Sequence, residues 1–170
     1  METLHELLID EVKDLYSAEN QLVKALPKMA KAAQTPQLRQ AFEMHLRETE
    51  GHVKRLERVA EQLGGSPRGK KCVGMEGLVA EGKELLAEKP EPDVLDAGLI
   101  GAAQKVEHYE MAAYGTARVH AEQLGLGQIA GMLQQTLDEE AAANEKLTAI
   151  AERQVNRRAE NMGSGNGQRQ

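Results

Sequence analysis

Charged side chains that could bind metal stand where the sequence otherwise predicts a buried helical face. In KVEHYEMAAYG, residues 105–115, Glu110 lies four residues after Val106 and three before Ala113. Steps of three and four residues follow one face of a helix, so Glu110 shares a face with apolar side chains. A carboxylate that is buried without a partner is very unfavourable. Glu110 therefore needs either a path to water or a cation inside the fold.

Two further glutamates occupy the apolar faces of other predicted helices. Glu19 lies four residues after Leu15 and three before Leu22, and Glu140 lies three after Leu137. A single glutamate on such a face usually extends to the rim, where its carboxylate reaches water. Glutamates in several helices at matching heights favour a shared metal site instead.

The second predicted helix contributes two histidines. His45 lies three residues after Phe42, and His52 lies four before Leu56. Each could be a metal ligand; alternatively, His45 is buried and bonded to a carbonyl, and His52 lies at the edge of the apolar face in solvent. Glu48 stands between them, toward the edge of that face. The helix thus offers one carboxylate and two imidazoles.

Two glutamates complete the candidate set. Glu107 is predicted at the edge of the apolar face, and Glu139 points off its face as a solvated or supporting group. Close carboxylates repel one another unless cations neutralise them, and two divalent ions are the simplest solution. Oxygen-rich ligands suit iron or manganese better than zinc or copper. The candidate ligands are Glu19, His45, Glu48, His52, Glu107, Glu110, Glu139 and Glu140.

The periodicity predicts helices near residues 4–33, 36–63, 75–88, 93–124 and 127–157. Thr35 and Asp93 are the expected N-caps of the second and third long helices. Short turns join the long helices into two antiparallel hairpins, and a long connection with its own short helix links the hairpins. This is the ferritin-like way to build an all-α four-helix bundle. We expect one domain over residues 1–160 and a flexible tail over 161–170.

Composition limits the partners. The net charge of −6 argues against nucleic acid, because phosphate neutralisation needs clustered lysine and arginine. No apolar run reaches the roughly 18 residues of a membrane span, and the N-terminus lacks the features of a signal peptide. The single cysteine, Cys72, excludes an internal disulfide and favours a reducing cytoplasm. Scarce aromatic residues and abundant Leu and Ala favour a homodimer that hides apolar surface.

Five stretches resemble the YciE/YciF-type ferritin-like stress proteins of bacteria. They are DLYSAENQLVKAL (14–26), HLRETEGH (45–52), GKKCVGMEGLVAEG (69–82), AAQKVEHYEMAAYGT (102–116) and TLDEEAAANEKL (136–147). The resemblance implies a five-helix ferritin-like subunit, usually dimeric, with a dinuclear metal site, in a group linked to stress responses.

The chain departs from the usual ferritin-like ligand pattern, in which a histidine follows a glutamate by three residues on two helices. Here Thr49 stands three residues before His52, and Ala143 stands three after Glu140. The fourth long helix therefore offers no histidine. EHYE (107–110) instead supplies two carboxylates three residues apart, which is similar to the rubrerythrin arrangement, where an extra glutamate takes the role of a histidine.

Two functions are consistent with these features. The first is a dinuclear iron or manganese protein of stress protection that reacts with iron, peroxide or oxygen. Glu19, Glu110 and Glu140, or its neighbour Glu139, would then hold or bridge the ions, and the other candidates would complete their shells. The alternative is a non-enzymatic helical dimer that acts through a protein partner and keeps a remnant metal site in its core.

Overall fold

The computed structural model describes residues 1–164 as a bundle of helices, with no strand in that part of the chain. The helices are α1 (Leu4–Ala32), α2 (Pro36–Gln62), α3 (Val73–Glu88), α4 (Pro92–Gln123), α5 (Gly127–Ile150) and α6 (Asn156–Ser164). A π-helical turn, Ala151–Val155, joins α5 to α6. Of the predicted flexible tail, residues 161–164 continue α6, and residues 165–170 lie outside the described residues.

The packing confirms the predicted two-hairpin bundle. Helix α1 packs on α2 and α4 on α5, and the two pairs meet through α2 with α5 and α1 with α4. Helix α3 belongs to the long connection and packs on α4 and α1. Within residues 1–164, no helix combines the length and the apolarity needed to cross a membrane.

A glycine follows the end of α2, and another follows the end of α4. Gly64 follows α2 with φ +77°, and Gly125 follows α4 with φ +72°. Only glycine adopts this left-handed conformation without a steric penalty, so the chain can reverse directly after each helix. After α4, the amide of Leu126 donates to the carbonyl of Ala121 at 2.9 Å. These turns fix the lengths of the helices that carry the candidate ligands.

Two helix starts differ in detail from the prediction. Thr35 precedes Pro36 as expected, but its side chain makes no cap hydrogen bond. The buried carboxylate of Asp96, on α4, instead accepts the amides of Gln34 and Thr35 at 2.8 and 2.7 Å. This contact ties the first hairpin to the second.

Asp93 is not the N-cap of α4, which the sequence predicted. Glu91 occupies that position, Pro92 begins the helix, and Asp93 lies in its first turn. Proline is favoured at the first helical position because its fixed φ suits the helix. An N–H group at that position would have no partner within the helix, so its absence costs nothing. The proline therefore sets the start of α4 one residue earlier than predicted.

The core consists of two apolar clusters, one toward each end of the bundle. One contains Leu8, Val12, Leu15, Leu56, Val59, Tyr114, Ala117 and Leu133. The other contains Leu22, Leu26, Phe42, Leu99, Ala103, Val106 and Leu147. On each bundle helix, buried polar residues lie between the two clusters. The candidate ligands therefore occupy a polar layer in the middle of the bundle.

Candidate metal centre

Six of the predicted ligands are buried together in this middle layer. All four bundle helices contribute, and no member is more than 6% exposed. They are Glu19 on α1, His45 and His52 on α2, Glu107 and Glu110 on α4, and Glu140 on α5. The six donor side chains divide into two groups that share Glu140.

The first group contains Glu19, His52 and Glu140, whose ligand atoms all lie within 4.8 Å of one another. Nδ1 of His52 is 3.0 Å from Oε1 of Glu140 and 3.3 Å from Oε1 of Glu19. Three helices thus direct one donor atom each toward a common point. On α2, Glu19 faces His52, which lies about one helical turn after Glu48 and Thr49.

The second group contains His45, Glu107, Glu110 and Glu140, again within 4.8 Å of one another. Nε2 of His45 lies 3.3 Å from Oε1 of Glu107 and 3.6 Å from Oε2 of Glu140. Glu140 contacts the two histidines through different oxygens. One carboxylate can therefore bridge the two groups.

The donor set fits a pair of divalent ions. Each of the six residues has at least one buried nitrogen or oxygen without a hydrogen-bond partner among the described residues. Two ligands at about 2.1 Å from one ion, at tetrahedral or octahedral angles, stand about 3.0–3.4 Å apart. Three of the four histidine–carboxylate distances lie in this range, and the fourth is slightly longer. The buried atoms therefore have the spacing that ligands of a common ion would have.

The carboxylates on α4 show how strongly the layer needs positive charge. Burial raises the pKa of Glu107 and of Glu110 well above the usual value, and the nearby carboxylate of Glu140 adds to the shift. Burial also raises the pKa of Glu19, even though His52 lies beside it. Without a cation, the ionised forms of these groups are therefore less favourable than that of an exposed glutamate.

The pKa values of the two histidines are also raised, but by neighbouring carboxylates and against the effect of burial. Burial alone would lower the pKa of His52, but the carboxylates of Glu140 and Glu19 outweigh it and raise that pKa to about 10. The pKa of His45 is also raised, since Glu48 and Glu140 outweigh the effect of burial. Burial would raise the pKa of Glu140, yet His52 and His45 lower it. In the metal-free protein, protons on the imidazole rings thus favour the carboxylates around them. A bound metal ion would take the place of those protons.

Glu139, which the sequence grouped with the ligands, lies outside both groups. Its Oε2 contacts Nε2 of His52 at 2.8 Å, on the ring nitrogen that does not face the other carboxylates. Arg55 donates to both of its oxygens at 2.9 and 3.1 Å, and also to the hydroxyl of Thr136. Carboxylates in this position orient metal-binding histidines. The structure places Glu139 as a support for His52.

Glu107 and Glu48 were both predicted at the edge of an apolar face, and the structure separates them. Glu107 is only 2% exposed, so its placement at the edge was wrong, because the neighbouring helices cover it. The side chain of Glu48 is 40% exposed, and its Oε2 lies 3.5 Å from Nδ1 of His45. Glu48 therefore stands beside the second group without belonging to it.

Two buried polar residues beside the site were not predicted. The hydroxyl of Tyr114, which is fully buried, donates to Oε1 of Glu19. Its spacing offered a signal, because it follows Glu110 by four residues and Glu107 by seven. Arg55 is 8% exposed and holds Glu139. It had no clear signal, since arginine three residues after a candidate ligand is common on solvated helices.

Cys72 takes no part in this centre. Its buried sulfur accepts the amide of Met75 at 3.4 Å at the start of α3. It also lies 2.9 Å from the hydroxyl of Tyr109, which donates to Asp14 at 2.8 Å. Burial raises the pKa of the thiol, so a reactive thiolate is disfavoured.

Comparison with known proteins places the chain in a family. The model of the family described as "Domain of unknown function (DUF892)" matches residues 3–160. Protein YciF of Escherichia coli K12 is 46% identical over 162 residues, which is 95% of this chain and 98% of that protein.

Solved structures agree with this relationship. The crystal structure of the E. coli stress protein YciF covers 92% of this chain and 99% of its own, with a TM-score of 0.88. YcfI from Rhodopseudomonas palustris is 42% identical and has a TM-score of 0.86, over 89% of this chain and 96% of its own.

A more distant structure shows the fold. Ferritin-like, diiron-carboxylate proteins from Bacillus anthracis str. Ames match over 88% of this chain and 99% of theirs, with a TM-score of 0.69 and 18% identity. The bundle is therefore ferritin-like, and the predicted fold class is confirmed. The chain belongs to the YciE/YciF family.

Proposed function

We propose that the protein binds two divalent metal ions, iron or manganese, in the middle of the bundle. Glu19 and His52 would hold one ion, and His45, Glu107 and Glu110 would hold the other, with Glu140 as the bridge. The observation that carries this proposal is the convergence of six buried residues. Each of them has at least one donor atom without a hydrogen-bond partner among the described residues.

The ligand chemistry favours iron or manganese. The set contains four carboxylates and two imidazoles and no thiolate, which suits these ions better than zinc or copper. Such ions supply one-electron redox chemistry toward iron, peroxide or oxygen. The fold buries the six donor side chains, and Glu139 holds the ring of His52. We infer a role in stress protection from the same chemistry and from the description of E. coli YciF as a stress protein.

Metal analysis tests the proposal directly. Protein purified without chelator, or loaded with Fe²⁺ or Mn²⁺ and desalted, should contain about two ions per chain. A Glu140→Ala variant should lose both ions, because that residue belongs to both groups. A Glu145→Ala variant on the exposed face of α5 should keep them. If the wild-type protein stays fully helical and takes up no metal, a non-enzymatic role through a protein partner becomes the better interpretation.

A further inference from the structure

A cavity of about 190 Å³ lies between α2 and α5 and reaches the second ligand group. His45 and Glu107 line its inner end. Phe42, Ala143 and Leu147 form apolar walls. Both nitrogens of His45 and Oε2 of Glu107 are buried and lack hydrogen-bond partners among the described residues. The inner end of the cavity therefore presents polar atoms of His45 and Glu107 that could interact with a bound molecule or ion.

The outer end of the cavity is open. Exposed Ala142 and Lys146 and half-buried Met44 and Glu48 line this mouth. Nζ of Lys146 lies 3.8 Å from the sulfur of Met44, so the lysine spans from α5 to α2. The mouth carries the ammonium of Lys146 and the carboxylate of Glu48, and the lining adds the carboxylate of Glu139. None of these charges repels a neutral molecule. A small molecule can thus enter from solvent without a large electrostatic barrier.

Ala143 explains why the cavity exists. It follows Glu140 by three residues on α5, the position at which two-metal bundles of this type place a histidine. Alanine leaves the volume of an imidazole ring unfilled beside His45, and the cavity includes Ala143 among its walls. An apolar cavity of about 150 Å³ in another protein accepts benzene. The space is therefore large enough for a five- or six-membered ring.

We propose that this cavity binds a small organic molecule that supplies a further donor atom in the space beside Ala143. The ligand has one nitrogen or oxygen donor at its inner end and an apolar body no larger than a small ring or a short alkyl chain. This inference rests on the proposed function, because the donor would bind the ion held by His45, Glu107 and Glu110. The substrate of the site would then be a small organic compound rather than a bare metal ion.

Imidazole and cobalt provide the test. The protein is loaded with Co²⁺, whose visible absorption reports its ligands, and is then titrated with imidazole. Saturable binding with a change in the cobalt spectrum is expected. Ala143→Leu should fill the cavity and weaken imidazole binding at least about tenfold. Ala143→His should give an imidazole-like spectrum without added imidazole and should no longer respond to it.

The control and the contrary outcomes separate this inference from the proposed function. Ala112→Leu makes the same change on an exposed part of α4 and should leave imidazole binding unaltered. If Co²⁺ does not load at all, the proposed function fails. If Co²⁺ loads fully but imidazole has no effect, or Ala143→Leu and Ala112→Leu behave alike, this inference fails. Should the leucine variant lose cobalt, the smaller Ala143→Val keeps the comparison decisive.

Discussion

Glu139 contacts Nε2 of His52 at 2.8 Å, while Nδ1 of the same ring faces the carboxylates of the core. Burial would raise the pKa of Glu139, but Arg55 outweighs it and lowers that pKa. The ionised carboxylate can only accept, so Nε2 of His52 must donate. This contact fixes the orientation of the ring and leaves Nδ1 for a metal ion.

Replacing Glu139 should therefore weaken metal binding without removing a ligand. We expect Glu139→Gln to lower the affinity of the position held by Glu19 and His52 by about 10- to 100-fold, as for other partners of metal-binding histidines. Competition with a chelating dye measures the affinity. Glu145→Gln, on the exposed face of the same helix, is the matched control. Equal affinities in the two variants would contradict a supporting role.

Glu110 offers a pair of substitutions that separate metal binding from packing. Glu110→Ala removes one ligand and leaves a space in the core, so metal affinity and melting temperature should both fall. Glu110→Leu should also lose affinity, yet the metal-free protein should be as stable as the wild type or more so. An aliphatic side chain suits this position, and it removes one of the buried carboxylates that repel one another in the metal-free layer.

Calorimetry and metal analysis of both Glu110 variants check this prediction. A gain of about 1–2 kcal/mol would raise the melting temperature of a chain of this size by several degrees. Two variants with full metal content and wild-type melting would show that Glu110 is not a ligand.

The stability of the metal-free protein should fall as pH rises. Glu107 and Glu110 have folded pKa values well above the usual 4.5, so above pH 4.5 the folded state retains protons that the unfolded chain releases. The free energy of unfolding therefore decreases with pH in this window. His52 acts in the same direction, since its stabilising charge is lost as pH rises from 6.5 through about 10.

Thermal melts between about pH 6 and pH 9, with and without metal, measure this dependence. The chelated protein should lose stability with pH. The metal-loaded protein should not, because protons compete less with the ions at higher pH. The same falling curve in both forms would mean that the ions do not bind at these carboxylates.

We expect the protein to form a homodimer. Met111, Gly115 and Val119 follow one outer line of α4 at steps of four residues, and Val119 is 48% exposed. Burying such an apolar line against a second copy is the simplest way to remove it from water. Light scattering should give twice the chain mass, and Val119→Asp should give the monomer. A monomeric wild type at micromolar concentration would refute the dimer.

The sequence alone was sufficient to predict the long helices and three of the most deeply buried candidate ligands. Glu19, Glu110 and Glu140 lie in step with apolar neighbours, and a helix with 3.6 residues per turn must bring such residues to one face. Glycines also mark the ends of α2 and α4 in the sequence, because few other residues accept a left-handed turn.

Tertiary structure decided which residues at the edges of those faces are buried. Glu107 and Glu139 each lie about 100° around the helix from an inward-facing neighbour. Periodicity cannot tell which of them the adjacent helix covers. The packing of α2 buries Glu107 beside His45, and Arg55 holds Glu139 on the outer side of His52. Likewise, Ala143 becomes the wall of a cavity only because α2 and α5 meet there. The spacing of residues within one helix carries no information about the distance between two helices.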